Sequence, residues 1–120
     1  MSLYRVSIIA RNPKDEERST LPLEAVVDSG SELTWLPADA LRAAGIEARR
    51  RQVFITATGA RVTREVGYAI LAAEGFETID EVVFGEPDDL ILLGVRTIEG
   101  FSVTVDFIGH RMVARAAFAA

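Results

Sequence analysis

The chain has 120 residues, no cysteine and a formal net charge of −5. This length fits one domain and is too short for two independent cores, so we expect a single domain over residues 1–120. The absence of thiols excludes disulfides, thiolate zinc sites and cysteine nucleophiles, and the acidic balance argues against nucleic acid as a partner. The N-terminal residues do not resemble a signal peptide, and no window is apolar enough to span a membrane, which predicts a soluble, cytoplasmic protein without a membrane partner.

Short strands separated by turn residues are predicted for most of the chain. Alternating apolar residues indicate strands at Tyr4–Ile9 and Leu21–Val27. A charged loop over residues 12–17 is expected to join them as a hairpin. Further strands are predicted at Leu33–Leu36, Val53–Ala57, Val62–Leu71, Glu77–Phe84, Leu90–Leu93, Phe101–Phe107 and Met112–Phe118.

Two segments are predicted to be helical. Pro37–Ala44 begins with a proline, which suits a first helical turn, and it is followed by a glycine, which suits the position past a helix end. Val95–Glu99 is a second, shorter candidate. The arginine run Arg49–Arg51 and the acidic run Glu86–Asp89 are both expected to be solvated loops. The predicted class is therefore mostly β with one or two short helices.

The chain offers few of the side chains on which most hydrolases depend. Its single histidine, His110, falls in a predicted turn and is expected to be exposed. A metal site needs several clustered ligands, and a serine hydrolase needs a base together with a nucleophile elbow such as G-x-S-x-G. Because neither pattern is present, we expect no metal, no cofactor and no serine–histidine chemistry.

One segment, residues 25–37, combines an apolar strand with a carboxylate at its end. Asp28 is followed directly by a small hydroxyl residue and a glycine, which taken alone favour a turn after a strand. The segment nevertheless resembles the active-site motif of aspartic proteases, Asp-Thr/Ser-Gly-Ser/Ala. In this chain the motif reads Asp28-Ser29-Gly30-Ser31.

A second segment is similar to the same family. Leu90–Leu93 followed by Gly94 resembles the apolar-apolar-glycine segment that crosses under the aspartate loop in retroviral-type members. Those members usually place an arginine after the glycine, paired with an acid just beyond the catalytic loop. Here Val95 takes the position of that arginine, Arg96 is one residue later, and Glu32 stands where the acid would be. Whether Glu32 and Arg96 pair is left open by the sequence.

Between these two motifs, Phe54–Arg61 is predicted to be a hairpin with a glycine at its tip. Aspartic proteases place their flap at this point, so the resemblance implies that Thr58, Gly59 and Ala60 contact substrate. The segment lacks the flap tyrosine of pepsin-like enzymes, and we therefore expect Trp35 to be a packing residue. The resemblance covers about residues 3–115 and implies a retropepsin-like acid-protease barrel.

The resemblance implies that Asp28 is catalytic and that Ser29, Gly30, Ser31 and Gly94 support its loop. Ser29 would tie two such loops together, and the Ser31 hydroxyl would donate to the outer carboxylate oxygen of Asp28. Peptide hydrolysis by this route needs two carboxylates, yet the chain has one motif, so the second must come from a second copy in a homodimer.

The implied activity is aspartic endopeptidase action on a peptide or protein substrate. Two alternatives stay open at this point. One is a non-catalytic dimerisation or peptide-binding module on the same fold, because a fold does not guarantee a function. The other is a small β-barrel ligand carrier unrelated to proteases.

Overall fold

A computed structural model describes residues 3–119 and has the mostly β composition that the sequence predicts. The strands are β1 (Arg5–Asn12), β2 (Asp15–Ser19), β3 (Leu23–Val27), β4 (Thr34–Pro37), β5 (Ala48–Ile55), β6 (Arg61–Ala73), β7 (Phe76–Gly85), β8 (Leu92–Leu93), β9 (Val103–Asp106) and β10 (Arg111–Ala114). The helices are α1 (Ala38–Ala43) and α2 (Val95–Gly100). In this described part, neither helix is long and apolar enough to cross a membrane.

Eight strands form one mixed sheet in the order β2-β1-β3-β8-β4-β7-β6-β5, while β9 and β10 form a separate antiparallel pair. Strand β1 also pairs with β6, so the ladder pairings run from β1 through β3, β8, β4, β7 and β6 back to β1. The consecutive strands β3 and β4 are not paired with each other. The short strand β8 lies between them, parallel to β3 and antiparallel to β4. A segment from late in the chain is thereby placed beneath the loop over residues 28–33.

Apolar side chains on alternate strand positions form the main core. In β1, Val6, Ile8 and Ala10 are buried while their neighbours are more exposed, which is the period-two pattern of a half-buried strand. Leu41 of α1 and Leu93 of β8 are fully buried in the same core. Burial of each such leucine contributes about 1.5–3 kcal/mol, so the core holds both the helix and the threaded segment in place.

A smaller apolar cluster lies beside the main core and contains Leu33, Val66 and Val83. Trp35 and Phe54 pack against it, and their rings meet edge to face with centroids 5.1 Å apart. The expected packing role of Trp35 is therefore confirmed. This contact also fixes β5 against the strand that follows the Asp28 loop.

The hairpin at the start of the chain extends further than the sequence indicates. β1 and β3 pair as expected, with Arg5 opposite Val26. The prediction of a charged loop over residues 12–17 is wrong beyond its first residues, because β2 starts at Asp15 and pairs with Asn12 of β1. All five β2 residues are exposed, so neither face carries the apolar alternation that would have indicated a strand.

The arginine run Arg49–Arg51 lies inside β5 and not in a solvated turn, which corrects the prediction. The Arg49 guanidinium lies 5.4 Å from the ring centroid of Tyr68, and Arg50 contacts the carboxylate of Glu81. Cation–π and charge contacts of this kind stabilise the arginine run, which has no apolar side chain of its own. A search for hydrophobic alternation therefore misses the first half of β5.

The C-terminal part is less regular than predicted. The strand expected over Met112–Phe118 ends at Ala114, and the strand expected over Leu90–Leu93 is reduced to its last two residues. His110 is half-buried and not exposed, since its ring stacks on Tyr4 with centroids 5.2 Å apart. Both predicted helices are present within one residue of their expected ends, and Gly45 follows α1 with a φ of +76°.

Candidate active site

Asp28 follows the last residue of β3, and hydrogen bonds to its own loop and to β8 hold it in place. Its N–H donates to the carbonyl oxygen of Leu93 at 2.9 Å. Its Oδ1 accepts the N–H of Gly30 at 2.8 Å, and its carbonyl accepts the N–H of Ser31 at 3.2 Å. This is the local turn geometry that Asp-Ser-Gly favours. Among residues 3–119, no group donates to Oδ2, so one carboxylate oxygen is engaged and the other is not.

Gly94 lies directly against the backbone of the Asp28 loop. A Cβ at this position would overlap the carbonyl group of Leu33 and would lie 3.0 Å from the carbonyl oxygen of Ser31. The next residue, Val95, donates its N–H to that Ser31 oxygen at 2.8 Å. The close approach of two backbones therefore requires glycine here. At Gly30 a Cβ would lie 3.2 Å from Asp28 Oδ1, which is tight but less severe.

The two serines of the motif have different surroundings. Ser29 is exposed, and within residues 3–119 its hydroxyl makes no hydrogen bond. The Ser31 hydroxyl donates to the carbonyl of Leu33 at 2.7 Å. The expectation that Ser31 donates to Asp28 is therefore wrong in this structure, because a backbone carbonyl two residues further along lies within reach of the short side chain.

Arg96 and Glu32, whose pairing the sequence left open, meet through the backbone only. The Arg96 N–H donates to the Glu32 carbonyl at 3.1 Å. Its guanidinium instead donates to Glu81 at 3.1 Å and lies 4.0 Å from Asp80. Burial alone raises the pKa of Glu81, but hydrogen bonds and charge from Arg50 and Arg96 outweigh burial and hold that pKa below its usual value. The side chain of Arg96 thus anchors α2 to β7.

Sequence reasoning missed a buried hydroxyl pair beneath the loop. Thr34 of β4 and Thr97 of α2 have no exposed surface, and their Oγ1 atoms lie 2.6 Å apart. Gly94 donates its N–H to Thr34 Oγ1 at 3.0 Å, and Thr97 donates to Asp80 Oδ2 at 2.9 Å.

The candidate flap is the hairpin between β5 and β6, as the sequence predicts. At its tip the Thr56 N–H donates to the Ala60 carbonyl at 2.8 Å, and the Gly59 N–H donates to the Thr56 carbonyl at 2.9 Å. Gly59 has a φ of +85°, a left-handed conformation that glycine adopts without strain. The expected substrate contacts Thr58, Gly59 and Ala60 are all exposed at this tip.

The acidic loop Glu86–Asp89 is better ordered than a solvated turn. Both carboxylate oxygens of Asp89 accept hydrogen bonds from Arg64, at 2.7 and 3.0 Å. This bidentate pair holds the pKa of Asp89 below its usual value, although partial burial opposes it. The prediction of a wholly solvated loop is therefore wrong for Asp89.

A cleft of about 410 Å³ lies elsewhere on the surface, between α1, the β5–β6–β7 strands and the acidic loop. Its lining includes Arg42, Arg51 and Glu65 but neither Asp28 nor the tip of the candidate flap.

In the part of the chain that the structure covers, no three histidine, aspartate or glutamate side chains are grouped to hold a metal ion. No protein-family model matches the chain, and no curated protein matches it.

Proposed function

We propose that the chain is one subunit of a homodimeric, retropepsin-like aspartic endopeptidase. The observation that carries this proposal is the threading of β8 between β3 and β4, which brings the Leu93 carbonyl to the N–H of Asp28. The sequence resemblance implies this crossing. The ladder pairings that return to β1 support the expected barrel, and the β5–β6 hairpin supports the expected flap.

The chemistry needs two carboxyl groups that share one proton. When two carboxylates lie a few ångströms apart, they do not both ionise readily, so one stays protonated and the other acts as a base. The base takes a proton from water, and that water attacks the scissile carbonyl carbon. The protonated partner donates to the carbonyl oxygen, and the tetrahedral intermediate collapses when the leaving nitrogen is protonated. Here Gly30 holds Oδ1 of Asp28, which leaves Oδ2 for the water and the second acid.

The second acid is Asp28 of another copy. An isologous interface brings the same residue of both copies to the two-fold axis, where each Ser29 hydroxyl would tie the two loops together. Exposed apolar side chains supply surface for such an interface: Val113 is 46% exposed and Phe118 is fully exposed.

The test is cleavage of an unstructured peptide library across pH by the wild-type chain and by Asp28→Asn. We expect the wild type to cleave, with a rate per molecule that rises with enzyme concentration as dimers assemble. Asp28→Asn should lose at least about 10³-fold in rate because an amide cannot act as the general base. Asp15→Asn is the matched control, since Asp15 is an exposed acid on β2.

Mixing the subunits tests the shared dyad. Wild type and Asp28→Asn are mixed in equal amounts and allowed to exchange subunits. If both copies must supply the acid, the mixture should show about a quarter of the activity of wild type alone at the same total subunit concentration. Retention of half would contradict a shared site. Equal turnover by Asp28→Asn and wild type would overturn the assignment of Asp28, and a folded wild-type dimer that binds peptides without cleaving any would favour the binding module.

A further inference from the structure

The peptide group between Leu93 and Gly94 is held from both sides. Its carbonyl oxygen accepts the N–H of Asp28 at 2.9 Å. Its N–H donates to Thr34 Oγ1 at 3.0 Å. Because this trans peptide group is planar and stiff, a displacement on the Thr34 side moves the acceptor on the Asp28 side.

The direction of the hydrogen bonds beyond Thr34 is fixed by their last member. Asp80, as a carboxylate, can only accept, so its Oδ2 takes the single hydroxyl proton of Thr97 at 2.9 Å. Thr97 Oγ1 must then accept the proton of Thr34 Oγ1, which lies 2.6 Å away. Thr34 in turn accepts from Gly94. Every bond from Asp28 to Asp80 therefore runs in the same direction, and aligned bonds polarise one another.

Asp80, the last acceptor in this series of hydrogen bonds, is itself held in place. The side chain of Asp80 is 10% exposed, and its Oδ1 accepts the N–H of Glu81 at 2.7 Å. The Arg96 guanidinium lies 4.0 Å from the same oxygen. Both threonines are fully buried, so water cannot replace a lost partner at low cost.

We propose that Asp80 is a positioning residue for Asp28. It fixes the direction of the Thr97 and Thr34 hydroxyls, and through them it fixes the peptide group that holds the N–H of the candidate catalytic residue. The effect on turnover rests on the proposed function, whereas the effect on the geometry of the Asp28 loop does not.

The test is amide hydrogen exchange, measured by NMR on the full chain. Thr97→Val removes the hydroxyl with little change in volume, and Thr97→Ser keeps the hydroxyl. Thr20→Val is the matched control, because Thr20 is also buried and its hydroxyl accepts the N–H of Ala10 at 3.1 Å. The readout is the exchange of the Asp28 and Gly94 amides relative to those of the β6–β7 ladder, which corrects for a change in global stability.

We expect Thr97→Val to speed exchange at Asp28 and Gly94 about tenfold relative to the ladder, the size of one lost net hydrogen bond. Thr20→Val should leave this ratio unchanged, and Thr97→Ser should restore it. If Thr97→Val does not fold, Asp80→Asn replaces it, since an amide can donate or accept and so opens both bond directions; a smaller acceleration is then expected. An unchanged ratio in the folded variant would overturn the proposal.

Turnover gives the second readout. Thr97→Val should lower kcat more than it changes KM, and Thr97→Ser should recover kcat, with each rate divided by the folded fraction of the variant so that a general loss of stability does not count. If the wild type cleaves no peptide but the exchange ratio changes as expected, the proposed function fails and the positioning role stands. If an active enzyme shows no change in exchange, the positioning role fails and the proposed function stands.

Discussion

Replacing Gly59 with valine should impair turnover far more than stability. Gly59 has a φ of +85° at the tip of the candidate flap, and a Cβ there would meet no atom within 4 Å. The penalty is therefore backbone strain alone, about 2 kcal/mol for a β-branched residue in the left-handed region. A domain of 120 residues has an unfolding free energy of about 6–18 kcal/mol, so the variant stays folded.

Gly75 provides a matched control in the neighbouring hairpin. It has the same φ of +85° and the same open surroundings, but it lies at the β6–β7 tip. The adjacent Glu74 accepts a hydrogen bond from Tyr4, 2.9 Å away, which places this tip near the start of β1. Gly75→Val should therefore lose the same stability as Gly59→Val and keep its turnover.

The assay compares thermal midpoints by circular dichroism with initial rates on one cleavable peptide. Both valine variants should lower the midpoint by about 8 °C, the shift that about 2 kcal/mol produces in a domain of 120 residues. Gly59→Val alone should lose at least about tenfold in rate, and Gly59→Asn should recover much of it because asparagine tolerates a positive φ. Equal rate losses in Gly59→Val and Gly75→Val would show that the β5–β6 tip is not the flap.

Two further predictions concern stability. Gly94→Ala should cost about 3 kcal/mol or more in unfolding free energy, because its Cβ would overlap the Leu33 carbonyl, whereas Gly30→Ala should cost clearly less; urea titration measures both. Asp89→Asn should weaken the loss of stability on acidification. Hydrogen bonds from Arg64 are the main reason why the pKa of Asp89 is lower in the folded state than in the unfolded state, so the ionised group stabilises the fold fully above about pH 4. This stabilisation is lost as the pH falls through the folded-state pKa. An unaltered acid limb in thermal melts at pH 2–6 would contradict this role.

The sequence predicts the parts of the fold where one face of a strand is buried and the other is not. In the first half of β1, apolar and polar residues alternate because the core covers one face. β7 is found within one residue of its expected bounds at both ends. Neither face of β2 is buried, so the strand is stabilised by its pairing with β1 and its sequence shows no hydrophobic alternation. For β8 the hydrophobic pattern predicts too long a strand. The apolar run spans Leu90–Leu93, whereas only Leu92 and Leu93 belong to the strand.

At the candidate site, short-range features follow from sequence and long-range ones do not. The turn at Asp28 and the glycine at position 94 can be inferred because Asp-Ser-Gly sets its own backbone and the Leu-Leu-Gly motif implies a close approach. The partner of Arg96 could not be inferred, since Glu81 is brought close to it only by the register of β7 and the docking of α2. The bond between Thr97 and Asp80 depends on the same register and on the docking of α2.

The proposed chemistry places its two requirements at different levels of structure. Within one subunit, hydrogen bonds from Asp28 through the Leu93–Gly94 peptide to Thr34 fix the backbone that carries the carboxylate. For one carboxyl to act as acid and the other as base, a second carboxyl must lie within a few ångströms of Asp28. In the part of one chain that the structure covers, no acidic side chain is paired with Asp28. Folding of the subunit can thus position Asp28, but it does not supply the second carboxyl on which the reactivity of Asp28 depends. Assembly of the dimer, and not folding, is therefore expected to control activity in dilute solution.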